Sequence, residues 1–98
     1  MAMDIFKNEA PEVVDAYFNL INVLEKRCPL EPKVKELVLI GILTAKQSSD
    51  GLPIHIQRAK QNGATDSEIL TVIISALPSC GMGTVLNGLK IAKGIMKI

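Results

Sequence analysis

Aromatic residues are scarce: the 98-residue chain has no tryptophan, one tyrosine and two phenylalanines. A core cannot be built on rings, so with 48% of the chain apolar it has to come from Leu, Ile, Val, Ala and Met. That composition suits helices packed on helices. An excess of either charge is also missing. Eleven Lys and Arg against ten Asp and Glu leave a net charge of +1, which argues against the basic surplus that nucleic-acid phosphates require. The longest apolar run, Leu37 to Leu43, falls far short of the roughly 20 residues that cross a bilayer, so no membrane span is expected. The N-terminal residues show neither an apolar stretch after a basic start nor a small-residue cleavage site, and the expected location is the cytoplasm.

Cysteine and histidine are nearly as rare. Cys28 and Cys80 are distant in sequence and form no Cys-x-x-Cys, so spacing supports neither a zinc site nor a local dithiol. Thiols in a reducing compartment are the expected state. No metal cluster can be assembled from one histidine and scattered carboxylates. That histidine, His55, is the side chain best suited to move a proton near neutral pH. A histidine satisfied within the core is the alternative.

What is present is helical periodicity. The first predicted helix starts at Pro11, which suits a first helical position, runs to about Arg27, and lines Val13, Tyr17, Leu20 and Leu24 along one stripe. The second spans Pro32 to Gln47, and its middle is apolar on every face, the pattern of a helix surrounded by protein. Gly41 is expected to permit close helix approach. After the turn Ser48 to Gly51, a third helix with Asp50 as N-cap runs to Asn62, and Gly63 closes it in the left-handed conformation. Thr65 and Glu68 form a capping box for a fourth helix, Asp66 to Leu77, which Pro78 ends. The fifth carries Val85, Leu89, Ala92 and Met96 at helical spacing. The expected fold is all-α, a single-domain bundle of about five helices over residues 1–98. Its greasy faces exceed what one small bundle covers, so a homo-oligomer is expected.

Ala59, Gly63, Ile69 and Val72 fall at the positions of a DNA-binding helix-turn-helix. The recognition helix would then present Asp66, Ser67, Glu68 and Ile69, with no Arg, Lys, Asn or Gln to meet base edges and an acidic first turn to repel phosphate. That reading fails, and no nucleic-acid partner is expected.

Glu36, then Ser48-x-x-Gly51, then His55 followed by A-K-Q-N-G-A-T-D-S-E-I, together with A-P-E-V-V-D-A-Y, K-V-K-E-L-V and G-M-G-T-V-L-N-G-L-K-I-A, resembles the carboxymuconolactone decarboxylase and alkylhydroperoxidase D-like family. The resemblance implies small all-helical protomers assembling as trimers or hexamers, with sites between helices. Peroxidase-type members have cysteine where this chain has Ser48 and Gly51. A serine hydroxyl does not cycle through sulfenic acid and glycine has no side chain, so thiol peroxidase activity is not expected here. The decarboxylase branch lacks the cysteine pair and keeps the histidine.

Decarboxylase chemistry suits a sparse site. Loss of carbon dioxide from a carboxylated lactone leaves electrons that delocalise into the unsaturated lactone carbonyl, so the reaction is expected to need neither cofactor nor metal. By resemblance His55 is the proton donor or polarising group and Glu36 orients it. Glu36 can also be read as a first-turn residue favouring the helix dipole. Ser48 is a candidate hydrogen-bond donor to a small-molecule substrate, or simply a turn or cap residue. Arg58, one turn after His55, is a candidate for the substrate carboxylate, or part of a solvated face. Gly81 and Gly83 open the fifth helix, where free backbone N–H groups suit an anion. Decarboxylases tend to have proline where this chain has Gly83. The alternative to an enzyme is a non-enzymatic oligomeric or small-molecule-binding module that kept the fold.

Overall fold

A computed structural model describes residues 1–98. It contains seven helices and no strand: α1 (Ala2–Glu9), α2 (Pro11–Arg27), α3 (Pro32–Ala45), α4 (Gly51–Gln61), α5 (Asp66–Ile74), α6 (Leu77–Cys80) and α7 (Met82–Met96). The all-α reading holds, and two helices were missed. Helix α1 was not expected; it ends because Pro11 pushes Ala10 out of the helical region, to φ −141° and ψ 65°. Helix α6 is a single turn with Pro78 in its first turn. The proline therefore starts a turn instead of ending α5, which already stops at Ile74.

The body of the molecule is α3 to α7. Helix α3 packs against α4 and α5, and α7 crosses α3, α4 and α5. Ile40, Leu52, Ile56, Ile69 and Ile73 are fully buried where these helices meet, each contributing about 1.5–3 kcal/mol relative to exposure. Close approach occurs at Gly88, not at the expected Gly41. A Cβ on Gly88 would lie 2.9 Å from Ile73 Cγ2 and 3.1 Å from Thr44 Cγ2, whereas one on Gly41 would meet only Val72 Cγ1 at 3.5 Å. Sequence marked Gly41 because it sits in an apolar run, but the tight crossing lies one helix face away.

One other expectation is corrected. The middle of α3 is not surrounded by protein within this chain, since Val38 and Ile42 are each 50% exposed. On α2, Val13, Tyr17, Leu20 and Leu24 are all about half exposed or more, and Val14 is the helix's one buried residue. The periodicity of α2 is real, but little of the chain covers its stripe: the main packing of α2 is on α1. No helix is long and apolar enough to cross a membrane.

The caps account for the boundaries. At Gly63, φ is +92°, and the N–H groups of Gly63 and Ala64 donate to the carbonyls of Lys60 and Ala59, a Schellman ending. The expected capping box is present: Glu68 N–H donates to Thr65 Oγ1 at 3.1 Å, and Thr65 N–H donates to Glu68 Oε1 at 2.9 Å. Helix α3 ends two residues before Gln47, which adopts φ 55°. Gln47 N–H donates to Thr44 O and Ser48 N–H to Leu43 O, so a glutamine occupies the left-handed site that glycine usually takes.

Candidate active site

On α3 the buried residues are Glu36, Ile40 and Thr44, four apart and therefore on one stripe. Two of them are core residues, and the same stripe carries the carboxylate of Glu36 inward. Glu36 is the fifth residue of α3, beyond the first turn, so its helix-dipole reading falls away. On α4, Leu52, Ile56 and Ala59 are buried and His55 lies beside them. Packing α3 on α4 brings His55 Nδ1 to 2.6 Å from Glu36 Oε2.

This pair is partly sealed: the side chains are 21% exposed for His55 and 9% for Glu36. A buried carboxylate is costly unless it is hydrogen-bonded, and the imidazole satisfies it. A carboxylate oxygen only accepts, so the shared hydrogen lies on Nδ1 and Nε2 is the exchangeable position. Glu36 thereby fixes the ring through Nδ1 and leaves Nε2 for another partner.

Ser48 and Gly51 meet each other in the α3–α4 turn, and no hydrogen bond links either of them to Glu36 or His55. Gly51 N–H donates to Ser48 Oγ at 3.1 Å. Asp50 occupies the N-cap position of α4 but makes no side-chain cap bond, so the capping assigned to Asp50 belongs to Ser48. With its own N–H closing α3, Ser48 ties the two helices together. A Cβ on Gly51 would lie 2.9 Å from Ser48 Oγ, which makes positions 48 and 51 immediate neighbours. His55 follows Gly51 by four residues, on the same face of α4.

The other candidates are not drawn in by any contact. Arg58 is exposed and no hydrogen bond or ion pair links its side chain to His55 or Glu36. Gly81 has φ +87° and forms the junction between α6 and α7. Gly83 is exposed in the first turn of α7, where a Cβ would meet nothing within 4 Å. Cys80, next to Gly81, lines an apolar groove between α3 and α5 that neither His55 nor Glu36 lines. Cys28 and Cys80 are free thiols. No three His, Cys, Asp or Glu side chains converge in a way that could hold a metal ion.

Sequence reasoning missed the groove, which arises from two helices distant in sequence and leaves no local motif. The turn-or-cap reading of Ser48 is met by the Gly51 N–H bond to its Oγ.

Neither a comparison with curated proteins nor one with solved structures gives a match. The model of the carboxymuconolactone decarboxylase family matches residues 11–94, from the start of α2 to near the end of α7. Matched over most of its length by that model, this chain belongs to the carboxymuconolactone decarboxylase family.

Proposed function

We propose that the chain is a cofactor-free carboxy-lyase of the decarboxylase type, acting on a small carboxylated lactone or a related intermediate of aromatic catabolism. The 2.6 Å contact between His55 Nδ1 and Glu36 Oε2 is the observation that carries this reading. In the reaction the bond between the carboxylate carbon and the ring breaks, carbon dioxide leaves, and the electron pair enters the unsaturated lactone as a dienolate. His55 then delivers the proton on Nε2 to the dienolate carbon and recovers one from water, while Glu36 holds the imidazolium through Nδ1. Ser48, Arg58 and the N–H groups after Gly81 and at Gly83 are proposed to receive the substrate's polar groups. The protein is proposed to act in the cytoplasm as a homo-oligomer.

Ultraviolet absorbance of a carboxymuconolactone-type substrate tests the proposal. Wild type should consume it, and His55→Gln should lower kcat by about 10²- to 10⁴-fold, the usual contribution of a positioned acid or base. No turnover by wild type would remove the lyase reading, and equal turnover by both proteins would remove the role of His55.

One observation favours a second reading, a binding module without turnover: His55 and Glu36 do not line the apolar groove between α3 and α5. On that reading the wild type binds a carboxylated ligand by calorimetry and leaves it unchanged. Thiol peroxidase chemistry has the least support, because positions 48 and 51 offer no sulfur.

A further inference from the structure

Two Asn-Gly pairs stand in the chain, Asn62–Gly63 and Asn87–Gly88. In such a pair no side chain screens the glycine nitrogen, which can close a five-membered ring on the asparagine side chain. Asn8, Asn19 and Asn22 are followed by Glu9, Leu20 and Val23, whose side chains hinder that closure. Residue type ranks the two pairs equally, and the fold separates them.

Asn87 lies inside α7, and Gly88 is buried there. A Cβ on Gly88 would press on Ile73 and Thr44, so turning the backbone at this pair means undoing a helix and parting it from the core. Asn62 is the C-cap of α4, and both it and Gly63 are exposed. A Cβ on Gly63 would meet nothing within 4 Å. Two hydrogen bonds hold the pair in place: Asn62 Nδ2 donates to Arg58 O at 2.8 Å, and Gly63 N–H donates to Lys60 O at 3.1 Å. Both belong to the last turn of a helix, where fraying begins. With ψ of Asn62 at 16°, the Gly63 nitrogen faces away from the Asn62 side chain, so ring closure waits for this turn to open.

We propose that Asn62 is a site of self-modification, at which deamidation rewrites the end of α4. When the turn opens, the Gly63 nitrogen gives its proton to solvent and attacks Asn62 Cγ. The new N–Cγ bond replaces the Cγ–Nδ2 bond, and ammonia leaves with a proton from water. A second water opens the ring. At the side-chain carbonyl it gives aspartate, and at the backbone carbonyl it gives isoaspartate, which carries an extra methylene in the main chain. Either product loses the side-chain donor to Arg58 O and places a carboxylate at the negative end of the α4 dipole. Helix α4 carries His55, but the proposal holds whatever chemistry His55 performs.

Peptide-resolved mass spectrometry of the full chain, kept warm at mildly alkaline pH, reads the reaction as a gain of one mass unit. In native buffer the gain should appear at Asn62 at least about tenfold faster than at Asn87, because a helix end opens at lower free energy than a core crossing. In denaturant the two rates should converge. Asp50–Gly51 can close the same ring, but the water it loses is returned when the ring opens, so mass does not register it. Asn62→Gln should abolish the gain at that position, since its longer side chain closes a less favourable ring. Asn62→Asp, which copies one product, should melt below wild type at neutral pH. Asn87 keeping pace with Asn62 in native buffer overturns the proposal, as does an unchanged Asn62 in native protein held about a hundredfold longer than the conversion takes in denaturant. An Asn62→Asp protein that melts like wild type overturns the effect on α4.

Discussion

At the scale of single residues, Glu36 and His55 depend on each other for more than chemistry. With its side chain 9% exposed, Glu36 has little water to fall back on when the imidazole is removed. His55→Ala should therefore lower stability by about 1–3 kcal/mol, the cost of an orphaned buried polar group, and Glu36→Leu in that background should return part of the loss. Paired melting curves of the two variants measure this. If His55→Ala melts like wild type, the contact is not holding the helices. Gly88 is a residue of the opposite kind, valued for what it lacks. Gly88→Ala would drive a methyl to 2.9 Å from Ile73 Cγ2 and 3.1 Å from Thr44 Cγ2, and overpacking of this sort costs about 1–3 kcal/mol. Denaturant unfolding should show it as a lower midpoint. The histidine and its glutamate were legible in the sequence because their types and order are unusual. Gly88 was not, because a glycine at a helix crossing looks the same as any other.

At the scale of the elements, local chemistry set most of the boundaries. The capping box at Thr65 and Glu68 and the left-handed Gly63 were readable, since each is written in a few adjacent residues. Helix α1 was missed because its amphipathic pattern packs only on α2 and contains no buried residue. The box also makes a pH prediction. The Thr65 backbone N–H foremost, and then Lys33, whose Nζ lies 3.0 Å from Glu68 Oε2, hold the Glu68 carboxyl below its ordinary value of 4.5. A carboxyl whose pKa is depressed by folding stabilises the fold above its unfolded value, and loses that contribution as pH falls through the folded value. Thr65→Ala should cost about 1 kcal/mol at neutral pH. Glu68→Gln should matter at neutral pH and progressively less as pH falls below 4.5 and through the lower folded value, beneath which both proteins carry a neutral side chain. Thermal melts of wild type and variant across that range, converging at the acid end, would bear this out.

At the scale of the whole molecule, the sequence reading expected more apolar surface than one small bundle covers but surrounded α3 with protein, and the structure leaves Val13, Tyr17, Leu20, Leu24, Val38 and Ile42 all about half exposed. Periodicity reports that a face seeks an apolar partner, not which chain supplies it. If copies of the chain supply it, folding and association are linked, and the melting temperature should rise by several degrees as concentration is raised from about 1 to 100 μM. A concentration-independent melt would show that the isolated chain holds all of its own stability. With a net charge of +1 and an apolar contact, raising salt to about 1 M should not dissociate the assembly. The joint at Ser48 and Gly51 has a consequence of a different sort. The backbone N–H of Ser48 closes one helix whatever its side chain is, but a Cβ at position 51 would lie 2.9 Å from Ser48 Oγ and 3.1 Å from Leu43 Cδ2. Glycine fills that corner to its limit, so any side chain there, thiol-bearing or not, has to be accompanied by a shift of Ser48 or Leu43.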